Sequence, residues 1–144
     1  MKRMMTVMLV ALVAAFASCK GGEDSVALLK SHEWQLKSFT TDGTVVANPA
    51  ELPVLAFSDS TKMAGSAGCN RFFGTYTTAD KGAITLVPGG ITLMTCPDIE
   101  FEDKYMKALA EVKTYAVSKE ELTLKNADGK VVIVYTAAPA KSAE

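Results

Sequence analysis

The spacing of hydrophobic and polar residues predicts a domain made largely of short strands. Over residues 32–39, Trp34 and Leu36 alternate with polar neighbours, which is the period of a half-buried strand, and Phe39 extends its apolar side. Similar segments predict further strands at 54–57, 62–67, 71–77, 83–86, 91–94, 114–117, 121–125 and 131–135. Turn residues separate them at 41–44, 80–82 and 126–130, and residues 87–90, with a proline and two glycines, predict a break between two strands.

One segment has the period of a helix. Its apolar residues fall on one face: Phe101, Tyr105, Ala108, Leu109 and Val112. Charged residues, Glu102 among them, are expected to cover the opposite face. Pro97 lies near the expected start, where a missing N–H is tolerated, and acidic residues favour the dipole at that end: Asp98, Glu100, Glu102 and Asp103. The pattern predicts an α+β fold, mostly antiparallel, with about eight short strands and one main helix.

The N-terminal segment predicts export. Residues 1–18 combine a short basic start with an apolar run of about a dozen residues, fewer than the roughly 20 that a membrane-spanning helix needs. This pattern is typical of a cleaved secretory signal, and a buried helix or a membrane anchor is the alternative interpretation. Ala17 and Ser18 before Cys19 resemble the lipobox of bacterial lipoproteins, although Phe16 stands where that pattern prefers leucine. The resemblance implies that Cys19 is acylated, with palmitate among the chains, and becomes the mature N-terminus.

The residues after Cys19 predict where the protein is anchored. Lys20 follows the cysteine, and the absence of aspartate there resembles the sorting pattern that favours the outer membrane. More than one acyl chain would make the anchor firm, because a single chain binds only marginally. We assign residues 19–30 to a lipidated tether, 31–136 to the domain and 137–144 to a flexible tail. The expected partner at this end is therefore the membrane, reached through the lipid.

The charge balance excludes one class of partner. The chain has 15 basic and 16 acidic side chains, and cleavage of the signal would remove Lys2 and Arg3. A nucleic-acid partner would require a basic face. We therefore expect no nucleic acid to bind.

Two cysteines, Cys69 and Cys96, remain after lipidation of Cys19. In an exported domain, an even pair of cysteines tends to form a disulfide. Two small apolar core residues are the main alternative. A metal site is weakly supported, because no histidine or further cysteine is spaced to complete it.

Several motifs follow one another along the chain: Trp34-Gln35-Leu36, Phe57, Gly68-Cys69-Asn70-Arg71-Phe72-Phe73-Gly74-Thr75-Tyr76, Ile84, Thr92-Leu93-Met94-Thr95-Cys96 and the helix that starts near Phe101. In this order they resemble the META domain, the HslJ-like, heat-shock-associated lipoprotein family. The resemblance covers about residues 31–136. It implies a compact α+β domain whose antiparallel sheet curves around one helix. It also implies a role in the bacterial envelope, stress response and antibiotic tolerance, without an established catalytic mechanism or ligand.

The segment around Gly68 is interpreted chiefly as a structural corner. Gly68 permits backbone angles closed to other residues, and Asn70 can hydrogen-bond local backbone. Phe72 and Phe73 are expected to point to opposite faces of a regular strand. The functional alternative is a binding rim beside the two cysteines, formed by Asn70, Arg71 and Tyr76.

The sequence gives little support for catalysis. His32 is the only histidine, which excludes a histidine-based triad or a two-histidine metal site within one chain. The acidic residues at the helix start are explained by the helix dipole. We therefore expect no enzyme activity, no metal and no cofactor.

Three functions remain in competition. The first is a lipid-anchored envelope protein that binds another protein or maintains the outer membrane under stress. The second is a carrier or pilot-like lipoprotein that holds an apolar ligand in the sheet cavity, suggested by Phe57, Met63, Phe72, Phe73, Leu93 and Met94, although core packing is the preferred explanation of these residues. The third is a hydrolase that uses Asp98 and Glu100, which is the weakest of the three.

Overall fold

The computed structural model describes residues 23–138. Two helices and nine strands follow one another in this part of the chain: α1 Glu23–Ser31, β1 Glu33–Thr41, β2 Thr44–Val46, β3 Val54–Phe57, β4 Lys62–Ser66, β5 Arg71–Ala79, β6 Ala83–Ile91, α2 Ile99–Glu111, β7 Val112–Val117, β8 Glu121–Asn126 and β9 Val131–Ala137. A short 3-10 turn, Asp80–Gly82, joins β5 to β6. The predicted fold class, α+β with one main helix, is confirmed. None of the described helices is long and apolar enough to span a bilayer.

All nine strands belong to one antiparallel sheet that closes on itself. The order is β2-β1-β3-β4-β5-β6-β7-β8-β9, and β1 pairs again with β9. The junction between β6 and β7 is the narrowest, with a single register pair, Ala83 opposite Thr114. The strand that the sequence analysis did not foresee is β2, which pairs with the end of β1.

Turn chemistry explains the hairpin between β1 and β2. Asp42 and Gly43 have φ values of 49° and 76°, and Thr41 lies opposite Thr44. Positive φ at both central residues is the requirement of a two-residue type I′ turn, for which Asp-Gly is a preferred pair. The predicted turn is confirmed at this position.

A bulge in β1 explains why Phe39 faces the core. Leu36 lies opposite Tyr135 and Ser38 lies opposite Val134, so Lys37 is the extra residue of β1. An extra residue shifts the alternation of side chains by one position. Trp34, Leu36 and Phe39 are consequently all buried.

The predicted break at residues 87–90 is wrong, because β6 runs through them to Ile91. Gly90 lies opposite Phe73 and Pro88 lies opposite Gly74, which makes Gly89 a bulge. A Cβ at Gly90 would lie 2.6 Å from Cζ of Phe73, so glycine gives this ring the space it occupies. Residues 92–95, part of which was predicted as a strand, form a loop.

The core lies between the inner face of the sheet and α2. All five residues of the predicted helix face are buried, although the fifth, Val112, begins β7. The ring of Phe39 packs edge-on against Phe101 and Tyr105, with centroid distances of 5.6 and 6.0 Å. The aromatic contacts fix the helix against β1.

The fold begins before the predicted domain boundary. Residues 23–30 were assigned to a tether, but they belong to α1, and Leu29 is fully buried. The indole Nε1 of Trp34 donates to the Leu29 carbonyl at 2.9 Å, and Lys30 Nζ lies 2.7 Å from Asp59 Oδ1. Ala137, assigned to the tail, is the last residue of β9. The signal segment 1–18, Cys19 and residues 139–144 lie outside the described residues.

Candidate functional site

The chain turns sharply between β4 and β5 at residues 67–70. Gly68 has a φ of 108°, a conformation that residues with a Cβ rarely adopt. The backbone N–H of Ala67 donates to the Asn70 carbonyl at 2.9 Å and closes the turn. The predicted structural corner is therefore present, and it directs the Asn70 side chain into the protein.

Asn70 is 1% exposed and uses both ends of its amide. Its Nδ2 donates to Glu102 Oε1 at 2.6 Å and to the Met94 carbonyl at 3.1 Å. Its Oδ1 accepts from the Met94 N–H at 2.7 Å and from Thr92 Oγ1 at 2.9 Å. One side chain thus joins the corner, α2 and the segment after β6.

Glu102 is the buried charged partner of this network, with 3% of its surface exposed. Its Oε2 accepts from the backbone N–H of Asn70 at 2.8 Å, in addition to the bond from the amide. A buried carboxylate is costly unless it is hydrogen-bonded, and the N-terminal end of α2 also favours a negative charge. The helical period predicted Glu102 on the exposed face, which is wrong, because the period does not reveal a partner 32 residues away. We call Asn70 and Glu102 the clamp.

A disulfide secures the same segment at a second point. Cys69, next to Asn70, is joined to Cys96, and their Cα atoms are 6.2 Å apart, within the usual range for a disulfide. Residues 92–98, which we call the clamped loop, are therefore fixed near both ends. The predicted pairing of these two cysteines is present in the structure.

The clamp leaves apolar side chains on the outside. Leu93 is 92% exposed, Met94 55% and Ile99 37%. They border a groove of about 300 Å³ between the clamped loop and α2, whose other lining residues are Asn70, Ile91, Thr92, Thr95, Glu102, Asp103 and Met106. We call it the Leu93 groove.

Acidic side chains lie around the Leu93 groove. Asp98 is the N-cap residue of α2, Glu100 lies in the first turn and Asp103 lines the groove itself. Asp98 Oδ2 also accepts a long, 3.4 Å hydrogen bond from the Ala50 N–H, while Glu100 and Asp103 are exposed. Of the acidic residues predicted at the helix start, Glu102 and Asp103 line this groove. Asp98 and Glu100 lie at the same end of α2 but outside the lining.

The structure does not bring Asn70, Arg71 and Tyr76 together as one exposed rim. Asn70 is enclosed by the clamp, and Arg71 is exposed but lines a different groove of about 470 Å³ on the outer face of β3, β4 and β5. Tyr76 is 4% exposed, and its hydroxyl donates to the Ser58 carbonyl at 2.7 Å. The three residues therefore do not form the predicted rim. The local sequence pattern could not show which of their side chains turn inward.

The six apolar residues considered for a cavity or core divide into two sets. Phe57, Met63 and Phe72 are buried in the core, whereas Phe73, Leu93 and Met94 are exposed. Phe72 and Phe73 point to opposite faces as predicted. His32, expected at the surface, is half-buried, and its ring lies 5.5 Å from that of Trp34. Among residues 23–138, no group of three histidine, cysteine or acidic side chains is arranged to hold a metal ion.

Comparison with known proteins gives a family and a fold. The META domain family model matches residues 27–139. A protein from Burkholderia xenovorans solved by NMR is 26% identical, with a TM-score of 0.67 over 81% of this chain and 88% of its own. A DUF4847 family protein from Bacteroides vulgatus (13% identity, TM-score 0.60, 81% and 98% coverage) and another protein solved by NMR (24%, 0.57, 81% and 97%) share the fold. No curated protein matches the chain. The chain belongs to the META domain family.

Proposed function

We propose that the chain is a lipid-anchored, non-catalytic protein of the bacterial cell envelope that binds another envelope protein through the Leu93 groove. In this way it would contribute to outer-membrane maintenance or to tolerance of stress and antibiotics. The observation that carries the proposal is the exposure of Leu93 and Met94 on a loop that a buried clamp and a disulfide hold in place. The anchor is the acyl group expected on Cys19.

The exposed loop is better explained by binding than by folding. Burial of a leucine side chain stabilises a protein by roughly 1.5–3 kcal/mol relative to full exposure, and Leu93 makes almost none of this contribution. The hydrogen bonds that Asn70 exchanges with Met94 and accepts from Thr92 instead keep the loop in one conformation. A preorganised apolar surface loses less conformational freedom when a partner binds.

The position of the anchor also favours a protein partner. Cys19 precedes α1 by four residues, which span at most about 14 Å. The Lys30–Asp59 pair joins α1 to the turn after β3, and Tyr76 of β5 bonds Ser58 in the same turn. The Asn70 corner directly precedes the opposite end of β5, about 20 Å from Tyr76 at the usual rise of a strand. The Leu93 groove thus lies at the end of β5 opposite to the Lys30–Asp59 contact. We infer that an anchor continuing from α1 would leave the groove free for a protein partner.

The carrier hypothesis has less support than protein binding. Side chains that are fully buried, among them Trp34, Phe39, Tyr105 and Tyr135, occupy the interior between the sheet and α2. The grooves described above lie on the surface. The hydrolase hypothesis gains nothing from the position of Glu102, because both of its oxygens accept hydrogen bonds from Asn70.

A complementation experiment tests the proposal. A deletion strain should become more sensitive to heat and to large antibiotics, and the wild-type gene should restore tolerance. The double variant Leu93→Ser/Met94→Ser and the anchor variant Cys19→Ala should both fail to restore it. Val131→Ser is the matched control, because Val131 is 43% exposed and lies outside the groove.

Two results would contradict the proposal. Unchanged sensitivity of the deletion strain in both assays would remove the envelope role. Full complementation by the Leu93/Met94 variant would remove the groove from the function. Mass spectrometry of the mature N-terminus checks the anchor directly, since an unmodified Cys19 would refute the lipidation.

A further inference from the structure

We propose that the Leu93 groove binds a short amphipathic segment of its partner, in which apolar side chains are flanked by lysine or arginine. This inference rests on the proposed function for the existence of a protein partner, and it adds the chemistry of the segment that is recognised. The groove supplies an apolar surface and an acidic border side by side, and each selects one part of such a segment.

The apolar part is small and adaptable. Leu93 and Ile99 border the groove, and two methionines, Met94 and Met106, line it. Methionine side chains adjust their shape to irregular partners. A volume of about 300 Å³ lies at the lower end of the usual range for ligand pockets. The groove therefore accommodates a few anchoring side chains of a short segment.

The charged part has one sign. Exposed Asp103 lines the groove, and exposed Glu100 lies one turn earlier on α2, close to the same end of the helix. The lysines of the same helix, Lys104 and Lys107, line a separate groove together with residues 41–46. Basic residues of a partner would thus meet carboxylates at the Leu93 groove. Charges at the border of an interface act mainly on association rate and specificity, and salt screens them.

Two other occupants are disfavoured by the same charges. In a two-fold dimer of this chain, the groove would face its own copy, which brings like charges together. An anionic lipid surface at the groove would likewise face the carboxylate of Asp103, whereas anionic lipids attract basic segments. A basic amphipathic segment is the occupant that satisfies both parts of the surface.

Peptide binding tests the inference directly. The probe is a fluorescein-labelled amphipathic peptide of leucine and lysine, compared with a leucine–glutamate peptide and a serine–lysine peptide of the same length. The full chain is purified from membranes into phosphatidylcholine nanodiscs, and fluorescence anisotropy is measured against empty nanodiscs. We expect the leucine–lysine peptide to bind at least tenfold more tightly than either of the others.

Variants identify the surface. Leu93→Ser/Met94→Ser should weaken binding of the leucine–lysine peptide at least tenfold, and Val131→Ser should leave it unchanged. Glu100→Gln/Asp103→Asn should weaken it several-fold at low salt, with a smaller difference at high salt. Thermal unfolding of each variant checks that the fold persists; all the replaced side chains are exposed, although Met94 and Val131 are only about half exposed.

Five results would overturn the inference. Two concern the peptides: no binding of the leucine–lysine peptide, or equal binding of the leucine–glutamate peptide. The others are unchanged binding by the Leu93/Met94 variant, a dimer in sedimentation that Leu93→Ser dissociates, and Leu93-dependent co-flotation of the nanodisc-held chain with phosphatidylglycerol vesicles. Failure of the inference and failure of the proposed function are distinguishable. If complementation requires Leu93 and Met94 but the peptide does not bind, the protein-binding role stands and the partner has other chemistry.

Discussion

Replacing Asn70 with alanine should destabilise the protein more than the same substitution of any other turn asparagine. The change removes four side-chain hydrogen bonds, of which the bond to buried Glu102 is charge-assisted. A bond to a charged group contributes roughly 1.5–3 kcal/mol and a neutral bond roughly 0.5–1.5. Water replaces part of the loss at Thr92 and Met94, which are exposed, so the expected decrease in the free energy of unfolding is about 3 kcal/mol.

Urea unfolding measures this decrease, and Asn126→Ala is the matched control. Asn126 also orders a turn, but its Oδ1 accepts only two bonds, from Asp128 N and Lys130 N, both at 3.1 Å and exposed. We expect the control to cost about 1 kcal/mol or less. In thermal unfolding, Asn70→Ala should lower Tm by about 12 °C, at roughly 4 °C per kcal/mol for a domain of this size.

A double-mutant cycle assigns the loss to the clamp. Glu102→Gln keeps the shape of the side chain and removes its charge, and the two substitutions should be coupled by about 1–2 kcal/mol because the residues touch. If Asn70→Ala lowers the free energy of unfolding no more than Asn126→Ala does, the stabilising role of the Asn70 hydrogen bonds is refuted. Additive effects of Asn70→Ala and Glu102→Gln would equally show that the buried carboxylate does not depend on the amide.

Three further predictions concern stability. The free energy of unfolding of the Cys69→Ala/Cys96→Ala variant should be lower by about 3.5 kcal/mol, because the disulfide closes a loop with a sequence separation of 27. Urea unfolding measures this decrease, and a decrease below about 1 kcal/mol would contradict the prediction. Tyr105→Phe should lower the free energy of unfolding by about 1–3 kcal/mol, because it leaves the buried hydroxyl of Tyr135 without its 2.6 Å partner. Tyr105→Phe/Tyr135→Phe should lower it less, because it removes both hydroxyls. Burial raises the pKa of both tyrosines, so the unfolded state loses their protons from about pH 10 while the folded state keeps them. The free energy of unfolding should therefore fall as pH rises above 10, by about 2.7 kcal/mol per pH unit for the two tyrosines. If this pH dependence is equally steep in the wild type and in the double phenylalanine variant, the prediction is refuted.

Local chemistry made several elements predictable. The apolar face of α2, from Phe101 to Leu109, follows from helical spacing alone. The Asp42-Gly43 hairpin and the corner at Gly68 follow from backbone conformations that glycine adopts readily. The opposite orientation of Phe72 and Phe73 follows from the alternation of a strand. In each case the residues that determine the structure lie within a few positions of one another.

Register was less predictable. The Lys37 bulge turns Phe39 inward, and the Gly89 bulge lets β6 continue past Pro88. The Lys37 bulge depends on β9, a neighbouring strand that is distant in sequence. The Gly89 bulge accompanies the ring of Phe73, which needs the space above Gly90. The proline and glycines alone suggested a break.

The sequence by itself determined the fold class, the main helix, the corner at Gly68 and the pairing of Cys69 with Cys96 as the leading hypothesis. Only the tertiary structure decided that Asn70 is enclosed, that Glu102 is buried beside it and that Leu93 and Met94 are left outside. The physical reason is that periodicity reports the environment of a residue relative to its own helix or strand. Hydrogen bonds between residues 32 positions apart, and the exposure of a loop held by them, depend on contacts that form only when the sheet has closed.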